Sequence, residues 1–358
     1  METPTTPLVT IITPTFNHAR FIGRCIASVL EQTESRWEQI VVDDGSTDGT
    51  GEIVSHFTDR RIRYVVRGHR GITGLADAYN LALHMARSEL IAVLEGDDFW
   101  PPDKLERQLP AFRNPEIVLS WGQAVETDAG GRPLRIFPDA SLIVRMQNRS
   151  ARETVRSLLE ANHIPACTVI CRKSALLVLG GFQQPDELPN VDYPTWLELC
   201  RVGPFAPVTH LLGFYRRHDD QVTAVMRREM LRNLRVGPMF VERLPPPERK
   251  ALGVSLEEAR RFESRRRAGL EIATGRAAWR GGRGAAAAAH FRQALRTGNG
   301  PTRLRAVLGL SSVYLGLDLE SMVAARQRIL SRRDRRRLVA AMRAGTISAE
   351  GLWPNGRP

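Results

Sequence analysis

Three polar clusters in this chain lie just past apolar, strand-like runs. They are Thr13-Pro14-Thr15-Phe16-Asn17, Asp43-Asp44-Gly45-Ser46-Thr47-Asp48 and Glu95-Gly96-Asp97-Asp98. Carboxylates brought together at neighbouring strand ends repel one another unless a cation, or a ligand rich in donors, lies between them. Hard divalent ions such as Mg²⁺ and Mn²⁺ take one or two carboxylates together with substrate phosphate oxygens. The pattern therefore points to a nucleoside diphosphate bound through a metal ion. Plainer roles exist for the same residues. Asp43-Asp44 before Gly-Ser can form a turn with Asx caps, and Asp97-Asp98 can cap a helix over 102–109.

The elements that must position these clusters alternate along the chain. Residues 8–15 (LVTIITPT) read as a β-branched strand, and 38–42 (EQIVV), 62–66 (IRYVV) and 90–94 (LIAVL) as further strands. Between them, residues 17–33 place Phe21, Ile22, Cys25, Ile26, Val29 and Leu30 at helical spacing, with Asn17 as a candidate cap. Further helices are expected around 48–57 and 74–87. Such alternation predicts an α/β fold with a mostly parallel sheet, right-handed crossovers and helices on both faces. Ligands of such sheets bind outside the carboxyl ends of the strands, which is where the polar clusters fall. Residues 115–224 are less regular. They carry strand-like pieces near 117–125, 166–171 and 208–216, and helices near 150–161, 173–179 and 193–201. Residues 225–358 read as almost wholly helical, with Pro245-Pro246-Pro247 as a boundary or stiff turn.

Composition excludes several classes. The 358 residues are 42% hydrophobic and 25% charged, which rules out disordered, collagenous and disulfide-scaffold chains. No run approaches the ~20 apolar residues of a bilayer span. Met1–Pro7 has neither a basic start nor an apolar core of a signal peptide, so the expected compartment is the reducing cytoplasm. Cys25, Cys167, Cys171 and Cys200 sit in apolar runs, without zinc-site spacing, and read as buried thiols. The net charge of +12 is unevenly spread: residues 225–358 hold 28 Lys+Arg against 11 Asp+Glu, leaving 23 against 28 in residues 1–224. That asymmetry points to two domains and to a basic face for phosphate, nucleic acid or anionic lipid.

Six stretches, in order, resemble family-2 inverting glycosyltransferases of the GT-A fold. They are VTIITPTFNHARFIGRCIASVLEQT, EQIVVDDGSTDGT, ADAYNLALHMARSELIAVLEGDDFWPPDKLERQL, VLGGF at 178–182, VDYPTWLEL at 191–199 and FYRRHDDQVT at 214–223. The resemblance covers about residues 7–224. It implies a GT-A catalytic domain over 1–224, with a nucleotide-sugar half (1–112) and an acceptor half (113–224), followed by a basic helical domain over 225–358. It implies that Pro14, Thr15 and Phe16 line the nucleotide pocket and that Asp44 accepts from the imide N–H of a uracil-like base. Glu95-Gly96-Asp97-Asp98 takes the place of the family's D-x-D-D signature. Asp97 is then expected near ribose and pyrophosphate, and Asp98, with Glu95, as metal ligand for Mn²⁺ or Mg²⁺. Asp192 is expected as the general base toward the acceptor hydroxyl, although it can equally cap a helix that starts near Tyr193. Arg216 and His218 are expected near the diphosphate. Glu95 departs from the usual Asp, and residues 67–77 lack a clean match to the family's basic nucleotide contact, for which Arg67 or Arg70 can serve.

The implied activity is metal-dependent transfer of a sugar from a UDP- or dTDP-sugar to a hydroxyl of a surface or lipid-linked glycan. A nucleotidyltransferase competes with it, but Thr-Pro-Thr-Phe-Asn replaces the Gly-rich triphosphate loop. A decayed transferase serving as a scaffold competes as well, against the intact Asp44, Asp97, Asp98 and Asp192. Residues 268–297 weakly resemble one tetratricopeptide-like hairpin. Arg265-Arg266-Arg267 and Arg332-Arg333-Asp334-Arg335-Arg336-Arg337 are candidate basic faces for an anionic membrane. Nucleic acid ranks last, since no recognised binding motif is present.

Overall fold

The computed structural model describes residues 6–185, 188–221 and 234–316. An eight-stranded mixed sheet forms its centre. It comprises β1 (Val9–Thr15), β2 (Trp37–Asp43), β3 (Ile62–Val66), β4 (Leu90–Val93), β5 (Leu119–Thr127), β6 (Pro133–Phe137), β7 (Ile170–Arg172) and β8 (Phe205–Arg216). The order is β3-β2-β1-β4-β7-β5-β6, with β8 paired to β5. The β3-β2-β1-β4 half is parallel, as the alternation of strands and helices predicts. β7 meets both β4 and β5 antiparallel, so the sheet is mixed beyond β4. β6 and the helix at Ala140–Met146 are additions to the elements read from sequence.

Both faces of the parallel half are covered because its strands are apolar on both sides. In β1, Val9 and Ile11 pack toward α1 (Ile22–Leu30) and Ile12 packs toward α3 (Leu75–Met85). In β2, Val41 joins the first layer, while Ile40 and Val42 join the second. A two-residue side-chain period sends neighbours to opposite faces, and each buried Val or Ile contributes about 1.5–3 kcal/mol. Asn17 does not cap α1. It sits at φ 53°, its Oδ1 accepts from the Thr47 N–H at 2.8 Å, and its own N–H donates to Ser46 Oγ. It therefore ties the loop after β1 to the loop after β2, and α1 begins only at Ile22.

The irregular middle supplies α6 (Ala151–Glu160), held by a Ser150/Glu153 capping box, and α8 (Asp192–Leu199). Three further helices, α9 (Val236–Arg243), α10 (Pro246–Leu252) and the start of α11 (Leu256–Arg280), extend the same core through Phe240, Val241, Leu252 and Phe262. The rest of α11 packs with α12 (Gly284–Thr297) and α13 (Gly300–Leu315) around a separate small core centred on Phe291. Gly275 and Gly309 let the helices close on that ring, because a Cβ there would lie 2.9 Å and 2.4 Å from it. All four cysteines are buried and unbonded to one another. No described helix is long and apolar enough to cross a membrane.

Candidate active site

Parallel pairing brings the ends of β1, β2 and β4 to one edge of the sheet. Thr15 is in register with Asp43, and the backbone N–H of Gly96 donates to Pro14 O at 3.1 Å. Only glycine fits at 96, where a Cβ would stand 2.5 Å from Thr15 Oγ1 and 2.8 Å from His18 Nδ1. The loop after β4 is thereby pressed against the loop after β1.

Asp43 and Asp44 have different environments. Asp43 accepts from the Ser46 N–H, from Ser46 Oγ and, at 2.5 Å, from Tyr64 Oη, the turn-forming arrangement. Asp44 faces the loop after β3. It accepts from Arg67 Nε at 2.5 Å and from the backbone N–H groups of Arg70 and Gly71, with His69 Nδ1 at 2.9 Å. Gly71 has φ 63°, a conformation that favours glycine. Phe16 is 38% exposed and stacks on His69 with ring centroids 4.2 Å apart. Pro14 and Thr15 are buried beside it, and Thr15 Oγ1 lies 3.2 Å from His18 Nδ1.

Asp97 and Asp98 also diverge. Asp97 Oδ2 is 3.1 Å from His218 Nε2. Ligand atoms of His18, Asp97 and His218 all lie within 4.8 Å of one another, the one such metal-capable cluster among the described residues. Burial alone would raise the Asp97 carboxyl, but His18 and His218 outweigh it and hold it below the usual range. His218 Nδ1 is buried without a partner, and its ring lies 4.5 Å from Phe21. Asp98 instead accepts from the backbone N–H of Arg216 at 2.8 Å, which clamps the end of β8 to the loop. Burial, then Asp97 and Glu95, push the Asp98 carboxyl well up.

Glu95 Oε1 accepts from Tyr79 Oη at 2.7 Å, while Oε2 is buried without a partner. Burial, with Asp97 adding to it, pushes this carboxyl up to about 7, against the opposing Tyr79 bond. Arg216 is buried with its guanidinium over Phe21 (4.8 Å) and Phe99 (5.1 Å), and its Nη1 reaches Ala129 O at 3.3 Å. The structure thus joins His218 to Asp97 and turns the Arg216 side chain to the two rings. Asp192 is the first residue of α8 rather than its cap. Its Oδ2 accepts from Asn162 Nδ2 at 2.9 Å. Burial raises its carboxyl above the usual range, and its charge helps raise Glu95 and Tyr79, so it belongs to the same cleft. Trp121 and Trp196 are buried packing residues.

The metal expectation rested on Asp98 and Glu95, whereas the structure gathers His18, Asp97 and His218. A His₂-carboxylate set fits a divalent ion with mixed nitrogen and oxygen preference, Mn²⁺ better than Mg²⁺. His18 was passed over in the sequence. Its only signal was its place three residues after Thr15, within a strand-end cluster.

The family model for glycosyl transferase family 2 matches residues 10–176. The putative teichuronic acid biosynthesis glycosyltransferase TuaG of Bacillus subtilis is 33% identical over 221 residues, covering 61% of this chain and 82% of the relative. The Escherichia coli UDP-Glc:alpha-D-GlcNAc-diphosphoundecaprenol beta-1,3-glucosyltransferase WfgD is 29% identical over 240 residues, covering 66% and 87%. Among solved structures, S. aureus TarS 1-349 in complex with UDP-GlcNAc superposes with TM-score 0.55 at 15% identity, covering 89% of this chain and 91% of that one. The mannosyltransferase PcManGT from Pyrobaculum calidifontis, in complex with GDP-Man and Mn²⁺, gives 0.54 at 19% identity, covering 99% and 89%. At these identities the structural likenesses show the fold alone.

Proposed function

The chain belongs to glycosyl transferase family 2, and on that footing we propose that it moves a sugar, with inversion, from a UDP- or dTDP-sugar to a hydroxyl of a surface or lipid-linked glycan. One observation carries the reading: Asp44 follows β2 and Asp97 follows β4 at one edge of the sheet, Asp192 is near enough to Glu95 to help raise its carboxyl, and the three stand in different chemical settings. Asp44, oriented by Arg67, is the acceptor for the imide N–H shared by uracil and thymine, with Phe16 beside the base. The names of WfgD, with its UDP-Glc donor and diphosphoundecaprenol acceptor, and of the UDP-GlcNAc complex of TarS support this donor and acceptor class.

Asp192 is the general base. It takes the proton of the acceptor hydroxyl as that oxygen attacks the anomeric carbon on the face opposite the diphosphate. Asn162 orients it by donating to its Oδ2. His18, Asp97 and His218 are the residues that would hold Mn²⁺, the better fit, or Mg²⁺. Such an ion, when bound, supplies charge stabilisation to the departing diphosphate. Asp98 supports this cluster by holding the Arg216 N–H, two residues before His218, and Glu95, held by Tyr79, acts on Asp97 through its charge. We assign residues 1–112 to the donor and 113–224 to the acceptor; of the basic part that follows, the described helices share the catalytic core as far as Phe262 and form their own small core beyond it. We assign the reaction to the cytoplasm, the compartment expected from the sequence.

Calorimetric titration of UDP, dTDP, GDP and ADP with Mn²⁺, then with EDTA, tests the reading. Metal-dependent binding of a pyrimidine diphosphate is expected. Absence of binding to all four would overturn it in favour of a scaffold.

A further inference from the structure

Between Glu271 and Asp318 the sequence contains no Asp or Glu, yet it holds seven arginines: Arg276, Arg280, Arg283, Arg292, Arg296, Arg303 and Arg305. All but Arg276 are exposed. Arg292 bonds Tyr314 Oη, and Arg303 Nε donates to Leu295 O at 3.1 Å. Neither contact is with a carboxylate, so the charge of α12 and α13 is uncompensated within these helices. Those two contacts place Arg292 of α12 alongside α13 and Arg303 of α13 alongside α12.

The exposed side of α13 is apolar. Leu304, Val307, Tyr314 and Leu315 are 63%, 47%, 67% and 64% exposed. At about 100° per residue they fall within an arc of roughly 100°, with Arg303 and Arg305 on its two sides. Ala306 and Gly309 lie on the opposite side, against Phe291. The basic run expected at 265–267 is a poorer candidate face. Arg266 turns inward to Leu234 O and the Tyr193 ring, and Arg267 pairs with Glu263. The run at 332–337 lies outside the described residues.

We propose that the α12–α13 face docks on an anionic lipid surface. Arginine charge alone suits any polyanion. An apolar stripe flanked by arginines suits a bilayer interface, where Leu, Val and Tyr enter the headgroup boundary and the guanidiniums meet lipid phosphates. This inference is independent of the donor-site reading.

Sedimentation of the full chain with vesicles tests it. Phosphatidylcholine vesicles are compared with a three-to-one mixture of phosphatidylcholine and phosphatidylglycerol. Binding to the mixture alone, weakened by salt, is expected. Arg296→Gln with Arg305→Gln, two positions without a bonded partner among the described residues, should weaken it on the order of 30-fold. Leu304→Ser with Leu315→Ser should weaken it by about tenfold or more at unchanged charge. Circular dichroism and the thermal transition of each variant report whether α11–α13 stay folded, and UDP titration reports separately on the donor site, whose failure would not bear on this face. Three outcomes overturn the proposal. They are equal binding to both vesicles or to neither, full binding by the arginine variant, and displacement by soluble polyphosphate with no effect of the Leu→Ser changes, which would identify a polyanion site.

Discussion

The strand-end cleft and the α12–α13 face both concentrate ionisable side chains, and they do so in opposite ways. In the cleft the charges are acidic, buried and individually partnered: Asp44 to Arg67, Asp97 to His218, Asp98 to the Arg216 N–H, Asp192 to Asn162. On α12–α13 the arginines are exposed and meet no carboxylate among the described residues. Low dielectric makes each cleft contact strong and specific, and leaves a costly orphan when one partner is lost. Exposed arginines act as a screened sum in which no single one is essential. Charge in the cleft is therefore committed residue by residue, whereas charge on the α12–α13 face acts as a pool.

Substitutions can break that contrast, beginning with the largest effect. Asp97→Ala should abolish Mn²⁺ binding, followed by titration of the metal alone. It should also slow UDP release from UDP-GlcNAc or UDP-Glc on the order of 10³-fold. Retention of Mn²⁺ binding would return the ligand role to Asp98 and Glu95. Asp192→Asn should slow the same release by roughly 10²–10⁴-fold with UDP affinity unchanged. Wild-type turnover in this variant would sink the base assignment. The wild-type pH profile sharpens the point. Asp192 works ionised, and burial raises its pKa. Activity should therefore fall, as pH drops, in a window above the ordinary Asp value of about 3.9.

Asp44→Ala comes next. Loss of a charged hydrogen-bond acceptor worth about 1.5–3 kcal/mol should weaken UDP binding some 10–150-fold, by calorimetry, to the same extent with and without metal. The smallest effect belongs to the helices. Gly309→Ala sets a methyl 2.4 Å from the Phe291 ring. It should destabilise α11–α13 by about 1–3 kcal/mol, seen as a lower or split thermal transition by circular dichroism, with UDP affinity intact. If UDP binding fell in step, the two regions would be one cooperative unit.

Much of the frame was legible in the residues. β1, β2, β3 and β4 follow the apolar β-branched runs almost residue for residue, because a strand buried on both faces needs a continuous apolar stretch. The polar clusters at their ends mark the edge where the cleft forms. Less legible was the division of labour within each acidic pair. Adjacent side chains leave the backbone in different directions, and their identity says nothing about what waits on either side. The resemblance gives Asp97 the ribose and pyrophosphate and Asp98 the metal, but the partner of each depends on β8, which brings the His218 imidazole to Asp97 and the Arg216 N–H to Asp98. His18 was illegible for the same reason, since its partners lie 79 and 200 positions away.

The sequence by itself determined the family, the parallel half of the sheet, the acidic edge and the basic excess of the C-terminal part. These follow from local composition, spacing and order, which a chain carries whether or not it is folded. Tertiary structure alone decided that β7 enters antiparallel, that His18, Asp97 and His218 form one cluster, that the Arg216 guanidinium lies over two phenyl rings, and that Arg266 turns inward and Arg267 pairs with Glu263, leaving only Arg265 of that run exposed. Each of those depends on contacts between segments distant in the chain, where burial and the nearest partner, not residue type, set what an ionisable group does.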